Sequence, residues 1–255
     1  MEKMTYKTDF ILESAGFYKS IIQKIREFKL SKNKDGISHQ NIVSYATYSP
    51  WIDDENFQEA YELFKGYTLV DVYRCYELWH YIRKNQKLIG DIVEIGVWKG
   101  GTGSILAKAN QQFQNSETYL IDTFTGVVKA SEKDTLYKGG EHSDTSFEFV
   151  KDLIETNNLK NVHLLAGVFP DEVIPKHPFL LDIQVKLCHI DVDTYLSAKQ
   201  SFFQIWPNVV KGGVVIFDDY GFWGCEGITE FVNEIDLSDA TVIYNLNGHA
   251  LVIKK

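Results

Sequence analysis

The sequence predicts an α/β protein whose core is a mostly parallel β-sheet covered by helices on both faces. From Gly90 onward, short apolar runs rich in β-branched residues alternate with amphipathic stretches. This alternation is typical of βαβ units, which build parallel sheets. Asn247-Gly248 separates the last two apolar runs and favours a hairpin turn, so an antiparallel pair is expected at the end of the sheet.

The individual elements follow from these runs. Seven segments are predicted as strands, at 91–95, 118–121, 162–166, 185–190, 213–217, 241–246 and 250–253. The segments with helical spacing between them are 102–113, 146–157 and 194–206. The stretch 127–142 is rich in Lys, Gly and Glu and has no such pattern, so it is predicted to be a mobile loop.

The N-terminal part of the chain has a different pattern, and residues 1–66 are predicted to form a helical cap ahead of a domain at 67–255. Helical spacing is present over 12–30 and 53–64. Between them, 31–40 is polar and 41–51 is aromatic and irregular, and no strand pattern is present. A further helix, at about 69–86, is predicted directly before the first strand of the sheet.

Composition and charge exclude several classes of function. The 255 residues are 44% hydrophobic and 24% charged, an ordinary globular composition. A formal net charge of −9 disfavours nucleic acid as a partner, because its phosphates would be repelled. The chain start has no apolar leader, and no apolar run approaches the roughly 18 residues needed to span a bilayer. Membrane insertion and secretion are therefore disfavoured.

The cysteine pattern favours a reducing compartment. Cys75, Cys188 and Cys225 lie far apart and form no CxxC motif. Neither a disulfide framework nor a cysteine-based zinc site is indicated by this spacing. We therefore expect a cytoplasmic protein.

A glycine-rich turn is the sharpest local motif, with the sequence DIVEIGVWKGGTGS at 91–104. Glycines let the backbone approach a ligand, and free N–H groups at a helix start favour an anionic group, although such turns also serve close packing alone. Asp122 ends the next strand about twenty residues later, where it is placed to accept hydrogen bonds from ribose hydroxyls. The GxGxxG spacing of dinucleotide sites is absent. Glu94 stands two residues before Gly96, and the resulting E-x-G-x-x-x-G spacing favours S-adenosylmethionine over NAD.

Three aspartates follow two other predicted strands. Asp191 ends one strand, and Asp218 and Asp219 end another. Ligands of open α/β sheets bind at the carboxyl ends of the strands, so these carboxylates should meet there and would repel one another without a cation. Their hard oxygens favour Mg²⁺, Ca²⁺ or Mn²⁺, although aspartates at such junctions also cap helices. Asp193 is predicted to be the N-cap of the next helix or to support the ligands.

With these motifs, the chain resembles the macrocin O-methyltransferase (TylF) family of class I S-adenosylmethionine-dependent enzymes. The matching segments cover roughly 65–225 and are YTL at 67–69 with Arg74 and Leu78, GDIVEIGVWKGG at 90–101, IDTFTG at 121–126, GVFPD at 167–171, IDVDTY at 190–195 and 212–221. The resemblance implies a Rossmann-like class I methyltransferase fold, with a seven-stranded, mostly parallel sheet and an antiparallel edge strand. Val192 stands where the family usually has Gly, and the cap before residue 65 matches poorly.

The resemblance also implies an activity, namely methylation of a sugar hydroxyl on a deoxysugar of a natural product or on a glycan. In such enzymes the matched Asp191, Asp218 and Asp219 bind the divalent cation, and Asp191 is also the candidate catalytic base. The cofactor contacts that carry over are Thr68, Glu94, Gly96, Asp122, Ser146 and Gly167. The implied partners are S-adenosylmethionine, Mg²⁺ or another hard cation, a glycoside or nucleotide-sugar substrate, and a second copy of the chain.

Two other functions are compatible with these residues. Chelation of two neighbouring oxygens would suit a catechol or another vicinal diol equally well. A non-catalytic S-adenosylmethionine-binding protein is the other alternative, although a pure binder has no use for three clustered carboxylates. For an enzyme, 127–142 and the aromatic stretch 45–51 are predicted to close over the acceptor and exclude water. His142 in that loop is predicted to be a solvated surface residue, and is the second choice for the base.

Overall fold

The computed structural model describes residues 20–21, 24, 31–34, 36–40, 48–114 and 116–255. The chain divides into two compact units, Met1–Ser49 and Pro50–Lys255. Most of the predicted helix at 12–30 lies outside the described residues, as does most of the aromatic stretch 41–51.

The smaller unit contains a β-hairpin. Strands β1 (Ser31–Lys34) and β2 (Ile37–Gln40) pair antiparallel, and Gly36 in the turn between them has φ +82°. The prediction that residues 1–66 contain no strand is therefore wrong. The hairpin is held by backbone hydrogen bonds between mostly polar residues, so it has no alternation of apolar and polar positions that would reveal it.

The larger unit contains a seven-stranded sheet. In chain order its strands are β3 (Asp91–Ile95), β4 (Thr118–Asp122), β5 (Val162–Ala166), β6 (Val185–Ile190), β7 (Val209–Phe217), β8 (Ala240–Tyr244) and β9 (Ala250–Lys254). Their order across the sheet is β5-β4-β3-β6-β7-β9-β8. The first five strands are parallel, and β9 is antiparallel to both β7 and β8. The predicted fold class and antiparallel edge pair are confirmed, although β7 begins at Val209 rather than 213.

Helices connect these strands, close to the predicted positions. They are α1 (Glu55–Phe64), α2 (Val72–Lys84), α3 (Gly101–Phe113), α4 (Phe147–Thr156), the short α5 (Val173–Lys176), α6 (Tyr195–Ile205) and α7 (Glu226–Glu234). Several begin at a side chain that satisfies free backbone N–H groups. Asp54 caps α1, Asp71 caps α2 and Ser146 caps α4.

Residues 50–66, which were predicted to be part of the helical cap, belong to the larger unit. A covering role for residues 1–66 stays a prediction.

Side chains of the strands alternate between two buried apolar clusters. Val93 and Ile95 belong to the cluster that includes residues of α6 and α7, whereas Ile92 belongs to the cluster that includes residues of α1 to α4. Both faces of the sheet are therefore covered, as parallel strands require. Glu94 and His189 are fully buried exceptions to this apolar pattern. Across the described part of the chain, no helix is both long and apolar enough to cross a membrane.

Candidate active site

A cavity of about 1020 Å³, partly open to solvent, lies at the carboxyl ends of the parallel strands. Seven of the nine residues predicted for the site line it, namely Thr68, Gly96, Asp122, Gly167, Asp191, Asp218 and Asp219. Glu94 and Ser146 do not. The structure therefore brings the glycine turn and the three aspartates to one cavity.

Gly96 joins the glycine turn to the first aspartate. Its φ is +89°, and a Cβ at this position would lie 1.7 Å from the backbone oxygen of Asp191. The backbone N–H of Asp191 donates to the carbonyl of Ile95 at 2.9 Å. The ends of β3 and β6 are therefore pressed together, and only glycine fits between them.

Asp122 organises the same turn from the end of β4. Its Oδ2 accepts the backbone N–H groups of Val97 at 2.7 Å and Trp98 at 2.8 Å. Its Oδ1 accepts the N–H of Phe124 at 2.6 Å. A carboxylate has about four acceptor positions and these bonds use three of them, so one position on Oδ1 remains for a ribose hydroxyl. This second, structural role was not predicted from the sequence.

Glu94 and Ser146 are placed away from the cavity lining. Glu94 is fully buried, and its Oε1 lies 2.8 Å from Nδ1 of His189. Burial raises the pKa of Glu94. The Ser146 hydroxyl accepts the backbone N–H of Phe149 at 3.1 Å and so caps α4. Their contact with the cofactor stays a prediction.

Asp191, Asp218 and Asp219 form one cluster, in which a carboxylate oxygen from each lies within 4.8 Å of the others. Burial and the negative charge of Asp218 raise the pKa values of Asp191 and Asp219 well above their usual range. This repulsion is relieved by a proton or by a cation. A set of three converging hard oxygens fits Mg²⁺ or a similar ion.

Asp218 differs from its two neighbours because basic side chains surround it. Arg74 Nη1 donates to its Oδ2 at 2.5 Å, and His249 Nε2 lies 2.9 Å from its Oδ1. Burial alone would raise the pKa of Asp218, but the imidazoles of His189 and His249 and the guanidinium of Arg74 outweigh it and hold this pKa below its usual range. Asp218 is therefore the ionised member of the cluster.

These basic partners were not predicted from the sequence. Arg74 lies in a segment that matches the family, but no role was predicted for it, for His189 or for His249. One signal was present, because His189 stands between Cys188 and Ile190 in a strand that is buried throughout. A buried histidine in such a strand requires a polar partner.

Asp193 is not a helix N-cap, so that part of its prediction is wrong. Thr194 holds the N-cap position of α6, and Asp193 has φ +62°. Burial raises the pKa of Asp193, and the hydroxyl of Tyr137 in the loop 127–142 acts in the opposite direction. Both residues line the cavity beside the aspartate cluster.

The loop 127–142 packs against α6. Asp134 is buried, its Oδ1 accepts the backbone N–H of Tyr195 at 2.8 Å, and its Oδ2 accepts the Ser131 hydroxyl at 2.8 Å. His142 lies half-buried in the cavity lining, with its ring centroid 5.7 Å from that of Trp98, rather than on a solvated surface. Movement of the loop stays a prediction.

The strand order, together with a glycine turn at the end of β3, defines a class I methyltransferase fold. The family model of the macrocin-O-methyltransferases (TylF) matches residues 52–244. The chain belongs to this family, as its motifs predicted, and is therefore an O-methyltransferase.

Individual relatives agree with this assignment. The chain is 26% identical over 200 residues to the mycinamicin III 3''-O-methyltransferase of Micromonospora griseorubida, a match that covers 72% of this chain and 77% of the relative. It is 26% identical to the 8-demethyl-8-(2,3-dimethoxy-alpha-L-rhamnosyl)-tetracenomycin-C 4'-O-methyltransferase of Streptomyces olivaceus, over 58% of this chain and 63% of the relative. The solved structure of the O-methyltransferase NovP is similar, with a TM-score of 0.62, 22% identity and coverage of 74% of this chain and 82% of that chain.

Proposed function

We propose that the protein transfers the methyl group of S-adenosylmethionine to a hydroxyl of a sugar, with a divalent cation held by Asp191, Asp218 and Asp219. The observation that carries this proposal is the convergence of these carboxylates in the cavity that the glycine turn also lines. The names of the relatives support the acceptor class, since one of them acts on a rhamnosyl tetracenomycin.

The residues of the turn and of β4 are suited to hold the cofactor. Gly96 lets the backbone approach the ligand, and Asp122 at the end of β4 accepts hydrogen bonds from the ribose. Thr68 and Gly167 also line the cavity and are the other proposed cofactor contacts. When bound, S-adenosylmethionine supplies the methyl group, and Mg²⁺ lowers the pKa of the acceptor hydroxyl.

Asp191 is the proposed base of the reaction. Bound S-adenosylmethionine would supply the methyl group that the acceptor oxygen takes from its sulfur, and the carboxylate of Asp191 would accept the proton that the hydroxyl gives up. Asp218 stays ionised through Arg74 and His249, so it serves as a ligand rather than as a proton acceptor. A wall formed by Tyr137 and His142 helps exclude water from the reacting atoms.

The charge of the cavity favours a neutral glycoside over a nucleotide sugar. Of the described residues that line it, Arg74 alone carries a permanent positive charge. Its Nε and Nη1 atoms donate to Asp71 and Asp218. Among the described lining residues, no permanent cation is therefore available to bind a diphosphate. The negative charges of a diphosphate would also be repelled by the aspartate cluster.

The two alternative functions are less well supported. The family and the glycoside names of its members favour a sugar over a catechol. A non-catalytic protein that only binds S-adenosylmethionine would not require three clustered carboxylates. A second copy of the chain as partner, and the cytoplasm as compartment, stay predictions.

A substrate screen tests the proposal. Deoxysugar glycosides, nucleotide sugars and catechols are incubated with the protein, S-adenosylmethionine and Mg²⁺, and methyl transfer is detected by mass. We expect methylated glycosides only, loss of activity in excess EDTA, and recovery with Mg²⁺.

Asp191→Asn should lower kcat by at least about 100-fold, as loss of a general base does. Asp152→Asn, on the exposed face of α4, is the matched control and should be unchanged. Full activity in EDTA would overturn the metal-assisted mechanism.

A further inference from the structure

Two buried histidines direct their Nε2 atoms towards the same carboxylate oxygen. His249 Nε2 lies 2.9 Å and His189 Nε2 lies 3.9 Å from Oδ1 of Asp218. The side chains of both histidines are 0% exposed and that of Asp218 is 3% exposed. One ligand atom from each of the three residues lies within 4.8 Å of the other two. These atoms form a second cluster, made of two nitrogens and one oxygen.

The other ring nitrogen of each histidine is anchored to a carboxylate. Nδ1 of His189 lies 2.8 Å from Glu94 Oε1, and Nδ1 of His249 lies 2.5 Å from Glu77 Oε2. Asn245 Nδ2 in turn donates to both oxygens of Glu77 at 2.9 Å. Metal-binding histidines are oriented in this way, with one nitrogen hydrogen-bonded to a carboxylate and the other directed to the ion.

One atom of the cluster lacks a partner. Nε2 of His189 is buried and has no hydrogen bond within the described part of the chain, since 3.9 Å to Asp218 is too long. A buried nitrogen without a partner destabilises a protein. A bound cation would satisfy this nitrogen, so the orphaned atom indicates that a ligand belongs here.

The spacing of the three atoms suits a small ion. Zinc bonds to imidazole nitrogen and carboxylate oxygen are about 2.0–2.2 Å long, so two ligands of a tetrahedral ion are about 3.3 Å apart. The measured distances to Asp218 Oδ1, 2.9 and 3.9 Å, fall on either side of this value.

Charge at this position also favours a cation. The carboxylates of Glu77 and Glu94 lie against the Nδ1 atoms of the two imidazoles, and the carboxylate of Asp218 contacts His249 and Arg74. Three carboxylates therefore meet at the two histidines, and buried charges of this kind are paired or coordinate metals.

We propose that His189, His249 and Asp218 form a binding site for a zinc-type cation, separate from the oxygen-only site of Asp191, Asp218 and Asp219. Imidazole nitrogen selects Zn²⁺, Co²⁺ or Ni²⁺ over Mg²⁺. Asp218 belongs to both sets, so an ion at the histidines would fix its orientation towards the acceptor. This site depends on none of the steps assigned to methyl transfer.

The sheet register explains how the site is assembled. Glu94 and His189 are directly paired positions of β3 and β6. Phe217 of β7 is paired with Ala250 of β9, so the residues that flank this pair, Asp218 and His249, become neighbours. Residues that are far apart in the chain therefore meet because of strand pairing alone.

Cobalt titration of the full chain tests the proposal. Co²⁺ is added to metal-free protein in the absence of Mg²⁺, and binding is followed by calorimetry and by the visible absorption of the bound ion. We expect one site per chain that gives intense visible bands typical of nitrogen ligation. His189→Gln and His249→Gln should each weaken it by at least about 100-fold, since each removes a ligand.

Two matched controls accompany these variants. His163→Gln removes an exposed histidine paired with Glu117 and should leave Co²⁺ affinity unchanged. Asp191→Asn should abolish Mg²⁺ binding but keep Co²⁺ affinity within about threefold, which separates failure of this site from failure of the proposed methyl transfer. Unchanged Co²⁺ binding in both His189→Gln and His249→Gln would overturn the proposal, as would no binding by the wild type at millimolar Co²⁺.

X-ray absorption of zinc-loaded wild-type protein gives a test that does not depend on the folding of a variant. We expect two imidazole nitrogens at about 2.0 Å in the zinc shell. A shell made of oxygen atoms alone would place the ion at the three aspartates and overturn the proposed site.

Discussion

Arg74 Nη1 lies 2.5 Å from Asp218 Oδ2, and both side chains are buried although 144 residues separate them in the chain. The same guanidinium donates through Nε to Asp71, the residue that caps α2. The start of α2 is therefore attached to the end of β7. This ion pair holds an aspartate of the cluster in its ionised form.

Replacement of Arg74 should destabilise the metal-free protein and make its stability depend on Mg²⁺. Removing one partner of a buried ion pair typically costs about 3–5 kcal/mol, because the other charge is left uncompensated. Mg²⁺ bound to the carboxylates of the folded state restores part of this free energy. We expect Arg74→Gln to unfold at a lower temperature and to gain more from Mg²⁺ than the wild type does, as measured by calorimetry with and without the ion.

Arg83→Gln provides the control for this prediction. Arg83 Nη1 lies 2.6 Å from Asp54 Oδ2, but its side chain is 31% exposed. Loss of a partly solvated ion pair lowers the free energy of unfolding by about 1 kcal/mol or less. The stability of Arg83→Gln should therefore not depend on Mg²⁺ more than that of the wild type does. Equal effects of Mg²⁺ on both variants would contradict the prediction.

Gly96→Ala should disrupt the site through the backbone of Asp191. The added Cβ would overlap the Asp191 carbonyl oxygen, at 1.7 Å, and a non-glycine residue at φ +89° is also strained. Gly140→Ala introduces similar strain, at φ +92°, but meets no atom within 4 Å. We expect Gly140→Ala to cost about 1–2 kcal/mol of unfolding free energy. Gly96→Ala should cost several kcal/mol more and abolish methyl transfer, which urea unfolding and an activity assay would measure. Similar losses in the two variants would show that the contact with Asp191 does not matter.

Lys186 should make stability rise with pH in the alkaline range. Its Nζ donates to the hydroxyl of Ser116 at 2.5 Å in a buried position, and burial lowers the pKa of Lys186 to about 8. An unfolded lysine has a pKa of about 10.4. Between these values the unfolded chain binds the proton that the folded chain has lost, so the free energy of unfolding increases with pH.

A comparison with Lys186→Met isolates this contribution. Urea unfolding of both proteins is measured from pH 7.5 to 9.5, and the wild type should gain about 2 kcal/mol relative to the variant over this range. Below pH 7.5 both states of the wild type are protonated, so the difference should be constant. A difference that stays constant up to pH 9.5 would contradict the lowered pKa.

The sequence was sufficient to predict the sheet because each βαβ unit has its own local pattern. An apolar run of β-branched residues, a glycine or aspartate at its end and an amphipathic segment mark each unit independently of the rest. The hairpin β1–β2 was missed because its residues are mostly polar. The early start of β7 was missed because Lys211, Gly212 and Gly213 interrupt the apolar pattern, although the backbone continues as a strand.

The site was only partly predictable, since its basic residues depend on tertiary packing. The acidic residues stand at strand ends, where a topological rule places them together. Arg74 lies on α2, His189 within β6 and His249 directly before β9. Their meeting around Asp218 depends on strand register and on the rotation of α2, which no local pattern encodes. Asp193 was misassigned for the same reason, because its partner Tyr137 lies in a distant loop.

Asp122 has two roles, and a pair of variants should separate them. Its carboxylate accepts backbone N–H groups of the turn at Val97 and Trp98, and its remaining acceptor capacity is proposed for the cofactor ribose. Asp122→Asn replaces one acceptor oxygen with an N–H₂ group, so it weakens both interactions. We expect calorimetry to show at least about tenfold weaker binding of S-adenosylmethionine, the equivalent of about 1.4 kcal/mol.

Asp144→Asn is the matched control because Asp144 supports the same turn without lining the cavity. Its Oδ1 accepts Trp98 Nε1 at 2.9 Å, and its Oδ2 accepts Lys99 Nζ at 2.6 Å. If Asp122 acts on the cofactor only by organising the turn, both variants should weaken S-adenosylmethionine binding in proportion to their loss of thermal stability. If Asp122 binds the ribose, Asp144→Asn should change the affinity for S-adenosylmethionine by less than about threefold. Asp122→Asn should then weaken cofactor binding by more than its own loss of thermal stability would explain. Unchanged affinity in Asp122→Asn would contradict the ribose contact.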